Sequence, residues 1–282
     1  MIIQGNKFRA LAHFTYAPPF NTEGNTFQSN DYRHLVSTLD TRQLNDNDII
    51  YTHTFFAKSL FARLSKLDKQ VRVITHNADT AADLIPPDNV KMWWSTNVNI
   101  QHSRVRSIPI GLENDIWFPE KKIKMAQIVK KPKKFKNMLY MNHNVKTNPA
   151  KRQRPYDILQ YEPWVTVEYG SNGKGFDEYL DNIYNHPFVV CPEGNGIDTH
   201  RVWECLYLKT IPIQVRNINN QFYTDLPILF INDWDELNDK FLNDQYMSIM
   251  DAKWDLSKLQ FEYWRDEIIG RNSILQQKAA LN

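Results

Sequence analysis

At 282 residues the chain can bury one large core or two Rossmann-sized cores. Its composition, 42% hydrophobic and 23% charged, is that of a folded globular protein and excludes a disordered one. A formal net charge of +2 is too small to argue nucleic-acid binding from the total.

The first forty residues mix a short apolar stretch, Phe8 to Tyr16, with a polar, turn-rich piece from Asn21 to Asp31. Regular alternation follows. Asp48 to Thr52 reads as a buried strand, and Phe55 to Leu67 as a helix with apolar positions at Phe56, Leu60, Leu64 and Leu67. Val71 to Thr75 is the next strand and ends in the polar cluster His76-Asn77-Ala78-Asp79; Val90 to Trp94 is another. Strands rich in Ile and Val, alternating with helices, predict a parallel α/β layer. Ser107 to Glu113 reads as a tight buried crossing.

Between Lys121 and Lys136 stand eight lysines and no acid. Such a band is either a solvated linker or a face for a polyanion, because each phosphate contact needs a nearby cation. The domain boundary is expected here, giving an N-terminal α/β domain over 1–115, a basic linker over 116–136 and a second Rossmann-like domain over 137–255. Its strands are read at Asn137 to Met141, Trp164 to Tyr169, Pro187 to Cys191, Ile211 to Val215 and Ile228 to Ile231. Its helices are read ending near Tyr156 to Leu159 and over Phe176 to Tyr184, Thr199 to Tyr207 and Trp234 to Leu242. A last helix, Leu256 to Gln277, carries Phe261, Trp264, Ile268 and Leu275 on one face, and residues 256–282 are expected near the domain junction.

Two cysteines, Cys191 and Cys205, form no disulfide framework or zinc motif. With no signal-peptide pattern at the start and no long uncharged apolar run, the expectation is a cytoplasmic protein.

The chemistry is concentrated in Pro187 to Val215. A buried strand runs into Pro192-Glu193-Gly194-Asn195-Gly196, and a helix opens at Asp198 or Thr199. Glycines at this turn let backbone approach a ligand, and the free N–H groups of the helix suit a phosphate. Arg201 falls in the first turn, where a cation opposes the helix dipole unless an anion is bound. Glu204 lies three residues on, placed to accept hydrogen bonds from the vicinal hydroxyls of a ribose. The plain alternative is an ordinary turn in which Arg201 and Glu204 pair with each other. The turn is neither GxGxxG nor a Walker loop.

The segment CPEGNGIDTHRVWECLYLKTIPI resembles the carboxyl-domain motif of exostosin-like glycosyltransferases: a strand, a Pro/Gly turn, a helix with Arg and Glu, and an Ile-Pro-Ile strand. Ile108-Pro109-Ile110-Gly111 and Met138 to Pro149 resemble the entry to that domain and its first strand and loop. Lys209-Thr210 departs from the pattern, where relatives usually carry a glycine. The resemblance implies a GT-B architecture, two Rossmann-like domains facing each other across a cleft, with no obligatory metal and a nucleotide sugar, taken as a UDP-sugar, as donor. It assigns the diphosphate to Arg201, the ribose to Glu204, and close approach to the sugar or phosphates to Glu193, Gly194, Asn195 and Gly196. Such enzymes usually invert the anomeric centre and take a general base from the first domain. Asp79 is the first candidate and His76 the second, ahead of His53, His13 and Glu23, because both follow a buried strand. Asn142 and His143 could face the cleft, and Lys146 and Arg152 could compensate leaving-group charge. The acceptor is expected to be a saccharide. Double-stranded DNA with a hydroxymethylated base, served by the lysine band, is the alternative; a non-catalytic nucleotide or sugar binder is the third reading.

Overall fold

A computed structural model describes residues 1–16, 39–169 and 175–271. The chain divides into two compact units, Met1–Ile110 joined by the segment from Gln260 onward, and Gly111–Leu259. Each is an α/β unit built on one five-stranded, wholly parallel sheet.

In the first unit the strands are β1 (Phe14–Tyr16), β2 (Ile49–Thr52), β3 (Val71–Thr75), β4 (Val90–Ser95) and β5 (Val105–Ser107), and their order in the sheet is their order in the chain. All four residues of β2 are buried, as expected of a strand covered on both faces. Two helices are α1 (Gly5–Arg9) and α2 (Ala57–Leu64); Phe61 of α2 meets Trp93 of β4 edge to face at 5.0 Å. The apolar stretch Phe8 to Tyr16 therefore supplies a helical turn and an edge strand, each too short to show a period.

In the second unit come α3 (Lys121–Ile128), β6 (Leu139–Met141), α4 (Pro149–Leu159), β7 (Val165–Val167), α5 (Phe176–Tyr184), β8 (Phe188–Val190), α6 (His200–Tyr207), β9 (Ile211–Val215), β10 (Leu229–Ile231) and α7 (Asp239–Asp251). The sheet order is β10-β9-β8-β6-β7. From β6 the chain steps to β7 on one side and then crosses to β8 on the other. That reversal opens a crevice beyond the carboxyl ends of β6 and β8, where open parallel sheets bind ligands. One face of the sheet presents Leu139, Met141, Phe188, Val190, Ile211, Ile213, Leu229 and Ile231 to Tyr156 and Leu159 of α4 and to Leu242 and Ile249 of α7.

Three expectations are corrected. Residues 116–136 are not a linker, because they lie within the second unit and α3 forms there. Several of its lysines are engaged: Lys122 with Asp115 and Lys124 with Asp177, both at 2.6 Å, Lys133 Nζ with the Lys209 carbonyl at 2.5 Å, and Lys136 Nζ with Asn182 Oδ1 at 2.6 Å. The single helix read over Trp234 to Leu242 is two pieces, because two caps interrupt it. Asp233 and Glu236 form a capping box on a 3-10 turn, and Asn238 caps α7 through the Phe241 N–H at 2.9 Å. The last helix, α8 (Phe261–Ile269), starts later than expected and stops at Gly270, whose φ of 80° is the left-handed cap that glycine adopts freely. It belongs to the first unit, where Phe261 packs on Phe8 at 5.3 Å and Arg72 donates to the Ile268 carbonyl at 2.9 Å. Leu275 lies outside the described residues.

Candidate anion-binding site

Arg152 of α4 lies at the loops that follow β6 and β8. Its Nε donates to the Glu193 carbonyl at 2.8 Å and its Nη1 to the Asn144 carbonyl at 3.1 Å, tying together the loops that follow the two strands. Asn148 adds a bond from Nδ2 to the Gly194 carbonyl at 2.8 Å. Gly194 and Gly196 close a turn, N–H to carbonyl at 2.9 Å, with neither at a positive φ. A Cβ at 194 would lie 2.8 Å from Arg152 Nη2, so the tip of that side chain would have to shift. Asn195 is exposed at the tip of the turn.

Arg201 enters the same crevice from the first turn of α6. Its guanidinium is buried against the Tyr179 ring at 5.6 Å, and its Nη1 has no hydrogen-bond partner. Two further buried polar atoms beside it are also unpartnered, Thr199 Oγ1 and His143 Nδ1. Thr199 occupies the N-cap position of α6 without making a side-chain cap. His143 Nε2 donates to the Arg152 carbonyl at 2.9 Å, so its Nδ1 is the bare ring nitrogen. Burial pushes the His143 pKa down to about 3, with Arg201 and Arg152 adding to the effect through their charges. Burial and then Arg201 likewise lower Arg152. Two guanidinium groups and a neutral histidine thus share one partly buried space.

The carboxylates around this space are all committed elsewhere. Glu193 has Asn217 Nδ2 at 3.1 Å on one oxygen and Lys151 at 3.5 Å on the other. Glu168 accepts from Tyr140 at 2.5 Å, Asn142 at 3.0 Å and Asn182 at 2.9 Å. Glu204 is 3% exposed; Lys121 Nζ binds its Oε1 and the Tyr179 hydroxyl donates to its Oε2 at 2.5 Å. Burial pushes the Glu204 pKa up, but the charge and hydrogen bond of Lys121 and the bond from Tyr179 outweigh it and hold the carboxyl below its ordinary range. The expectation that Glu204 meets a ribose is therefore corrected: both oxygens are turned inward and occupied. No ion pair joins it to Arg201 either. Asn142 is engaged with Tyr140 at 2.7 Å as well as Glu168, and Lys146 is exposed on the turn after β6. On the other side of Glu193 a cavity of about 160 Å³ opens beyond β8, β9 and β10, lined by polar groups including Lys151, Gln214, Asn217 and Asp233.

The chain matches no protein-family model and no curated protein.

At the carboxyl edge of the first sheet the expected bases separate. His76 is 1% exposed, stacks on Phe8 at 5.2 Å, accepts from the Asn77 N–H at 2.7 Å on Nδ1 and donates to the Pro109 carbonyl at 3.1 Å from Nε2. A side chain at Gly5 would strike this pair, the nearest atom being Asn77 Oδ1 at 1.9 Å. With both ring nitrogens used, His76 is corrected from candidate base to packing residue. Asp79 is exposed just beyond β3. His53, after β2, points Nδ1 at the His76 and Asn77 carbonyls, 3.1 and 3.2 Å away, which fixes that nitrogen as the protonated one and leaves Nε2 basic. Burial lowers the His53 pKa. His13 is exposed and pairs with Asp48 at 2.8 Å, and Glu23 lies outside the described residues. The signal that favours His53, a backbone carbonyl behind Nδ1, depends on the neighbouring strand and is absent from the sequence.

Chemically, the second unit gathers donors lacking acceptors, a guanidinium nitrogen and a hydroxyl, at the start of a helix. Among the described residues no group of three or more His, Cys, Asp or Glu side chains converges to hold a metal ion, and no helix is long and apolar enough to cross a membrane.

Proposed function

We propose that the chain is a glycosyltransferase that takes its sugar from a nucleotide-activated donor, a UDP-sugar, whose diphosphate neutralises Arg201 and Arg152. The observation that carries this reading is the buried, unpartnered Nη1 of Arg201 at the strand-order reversal. A buried guanidinium nitrogen without an acceptor is costly, and an anionic ligand supplies one. The resemblance of Cys191 to Ile213 to the exostosin-like motif supplies the class of anion, and with it a GT-B architecture.

The reaction in this reading is a single displacement. The acceptor oxygen attacks the anomeric carbon, the bond to the diphosphate breaks with its electron pair, and the base takes the hydroxyl proton. Arg201, Arg152 and the first-turn N–H groups of α6 stabilise the charge on the departing diphosphate. The GT-B reading assigns the base to the first unit. His53 fits best, with its proton fixed on Nδ1 and Nε2 basic; Asp79 is the second candidate. The acceptor is a saccharide. Pairing of Lys122, Lys124 and Lys136 within the second unit favours the saccharide over the DNA reading.

The test is transfer read by mass spectrometry, with UDP-, GDP- and CMP-sugars offered against an oligosaccharide mixture and a hydroxymethylated duplex. A sugar-sized gain on a saccharide, reduced about a hundredfold or more in His53→Gln with donor binding intact, is the expected result. Gain on the duplex alone moves the acceptor to DNA. Nucleotide binding with no transfer or hydrolysis of any donor makes the chain a binder.

A further inference from the structure

The most unusual buried charge in the second unit is not an arginine but Lys121. It is 2% exposed, although it reads as one of eight lysines in an acid-free run. Its ammonium bonds the carboxylates of Glu113 and Glu204. It also lies over the rings of Phe118 and Phe176, at 5.2 and 5.1 Å, which are stacked on each other at 5.3 Å. A lysine so enclosed is expensive to bury, and the structure has to gain something specific from it.

What it holds is the one carboxylate able to spoil the anion site. Arg201 and Glu204 are three residues apart on α6, the spacing at which helical side chains meet. Left alone, Glu204 would close on the open Nη1 of Arg201. Instead Lys121 on α3 takes Oε1, and Tyr179 on α5 takes Oε2 while its ring faces Arg201. Both carboxylate oxygens are thereby occupied, and Arg201 Nη1 is left without a hydrogen-bond partner.

We propose that Lys121 is a positioning residue: by sequestering Glu204 it keeps Arg201 Nη1 free of a carboxylate and open to the ligand's phosphates. The inference rests on the reading of the crevice as an anion site. It explains why Arg201 and Glu204, three residues apart on one helix, form no ion pair.

The experiment is calorimetric titration of the full chain with inorganic pyrophosphate and with UDP, on the parent, Lys121→Met, Glu204→Gln and the double variant. Lys121→Met frees Glu204 to pair with Arg201 and is expected to weaken pyrophosphate binding about tenfold. The double variant, which has no carboxylate to make that pair, is expected to bind within about twofold of the parent. Loss of packing alone would not be rescued by a second substitution. If Lys121→Met does not fold, the double variant, with one fewer unpaired buried charge, carries the test by itself. Parent-like binding by a folded Lys121→Met overturns the proposal, and so does a folded double variant that stays weak. A parent that binds neither pyrophosphate nor UDP removes the anion site itself, a failure distinguishable from the other two.

Discussion

The two sheets have the same number of strands, and both are wholly parallel; they differ in one step of strand order. Where order follows the chain, the carboxyl edge is knitted shut: Thr75 donates to Ser95 at 2.6 Å, Trp93 donates to Thr75 at 2.9 Å, and His76 spends both ring nitrogens on neighbours. The unpartnered buried atoms of that unit, on Thr54, Asn89, Trp94 and Thr96, are all neutral. Where order reverses, the unpartnered buried atoms lie on His143, Thr199 and Arg201, and one of them belongs to a guanidinium. Topology places the loops, and the choice of side chains makes them a candidate anion site.

The contrast can be broken first at the two buried tryptophans. Trp203 on α6 donates to both Asp198 carboxylate oxygens at 3.0 Å, whereas Trp93 on β4 donates to a hydroxyl. Trp203→Phe should cost about 3 kcal/mol, since bonds to a buried charge are worth more, and Trp93→Phe about 1–2 kcal/mol. Denaturant unfolding measures both, and equal costs would remove the electrostatic difference between the edges.

The arginines give opposite signs. Arg72 is satisfied in the first unit by the Ile268 carbonyl, so Arg72→Met should lose about 1–2 kcal/mol. Arg201→Met, replacing an incompletely paired buried charge by an apolar chain, should melt no lower than the ligand-free parent. A large loss of stability in Arg201→Met would mean that the protein itself already satisfies that guanidinium.

His143 sharpens the comparison through pH. Its pKa is about 3 in the folded chain against 6.5 ordinarily, so between these values the unfolded state binds the extra proton. Its contribution to stability is complete above about pH 6.5 and is lost progressively as pH falls toward 3. Urea unfolding at pH 4.5 and 7 should show a smaller difference in His143→Gln than in the parent.

The smallest effect is expected at Lys209. Among the described residues the other non-glycine positions with positive φ are asparagines of the first unit, Asn47, Asn77 and Asn97, which tolerate that region; Lys209 holds φ 55° after α6. Lys209→Gly should stabilise by about 1 kcal/mol, seen as a rise of a few degrees in Tm.

Several elements were fully legible in sequence. Val71 to Thr75 and Ile211 to Val215 are β-branched runs bounded by polar residues, and Phe176 to Tyr184 carries its own helical period; all three match residue for residue. Arg201 was legible because a cation in a first helical turn is locally unfavourable. The partner of Glu204 was not, since Lys121 is 83 positions away in a run of lysines that composition alone cannot sort into buried and exposed. Sheet order was not legible either, because a strand's residues show that it is buried but not beside which neighbour. The departure at Lys209 was visible in sequence, and its physical form is a left-handed residue that is not glycine.

The central claim is that Arg201 stands ready for an anion, and titration of the parent and Arg201→Ala with UDP tests it most directly. The account predicts measurable binding by the parent, weakened about thirtyfold or more in the variant with Tm unchanged or higher. Equal binding by the two proteins would contradict it.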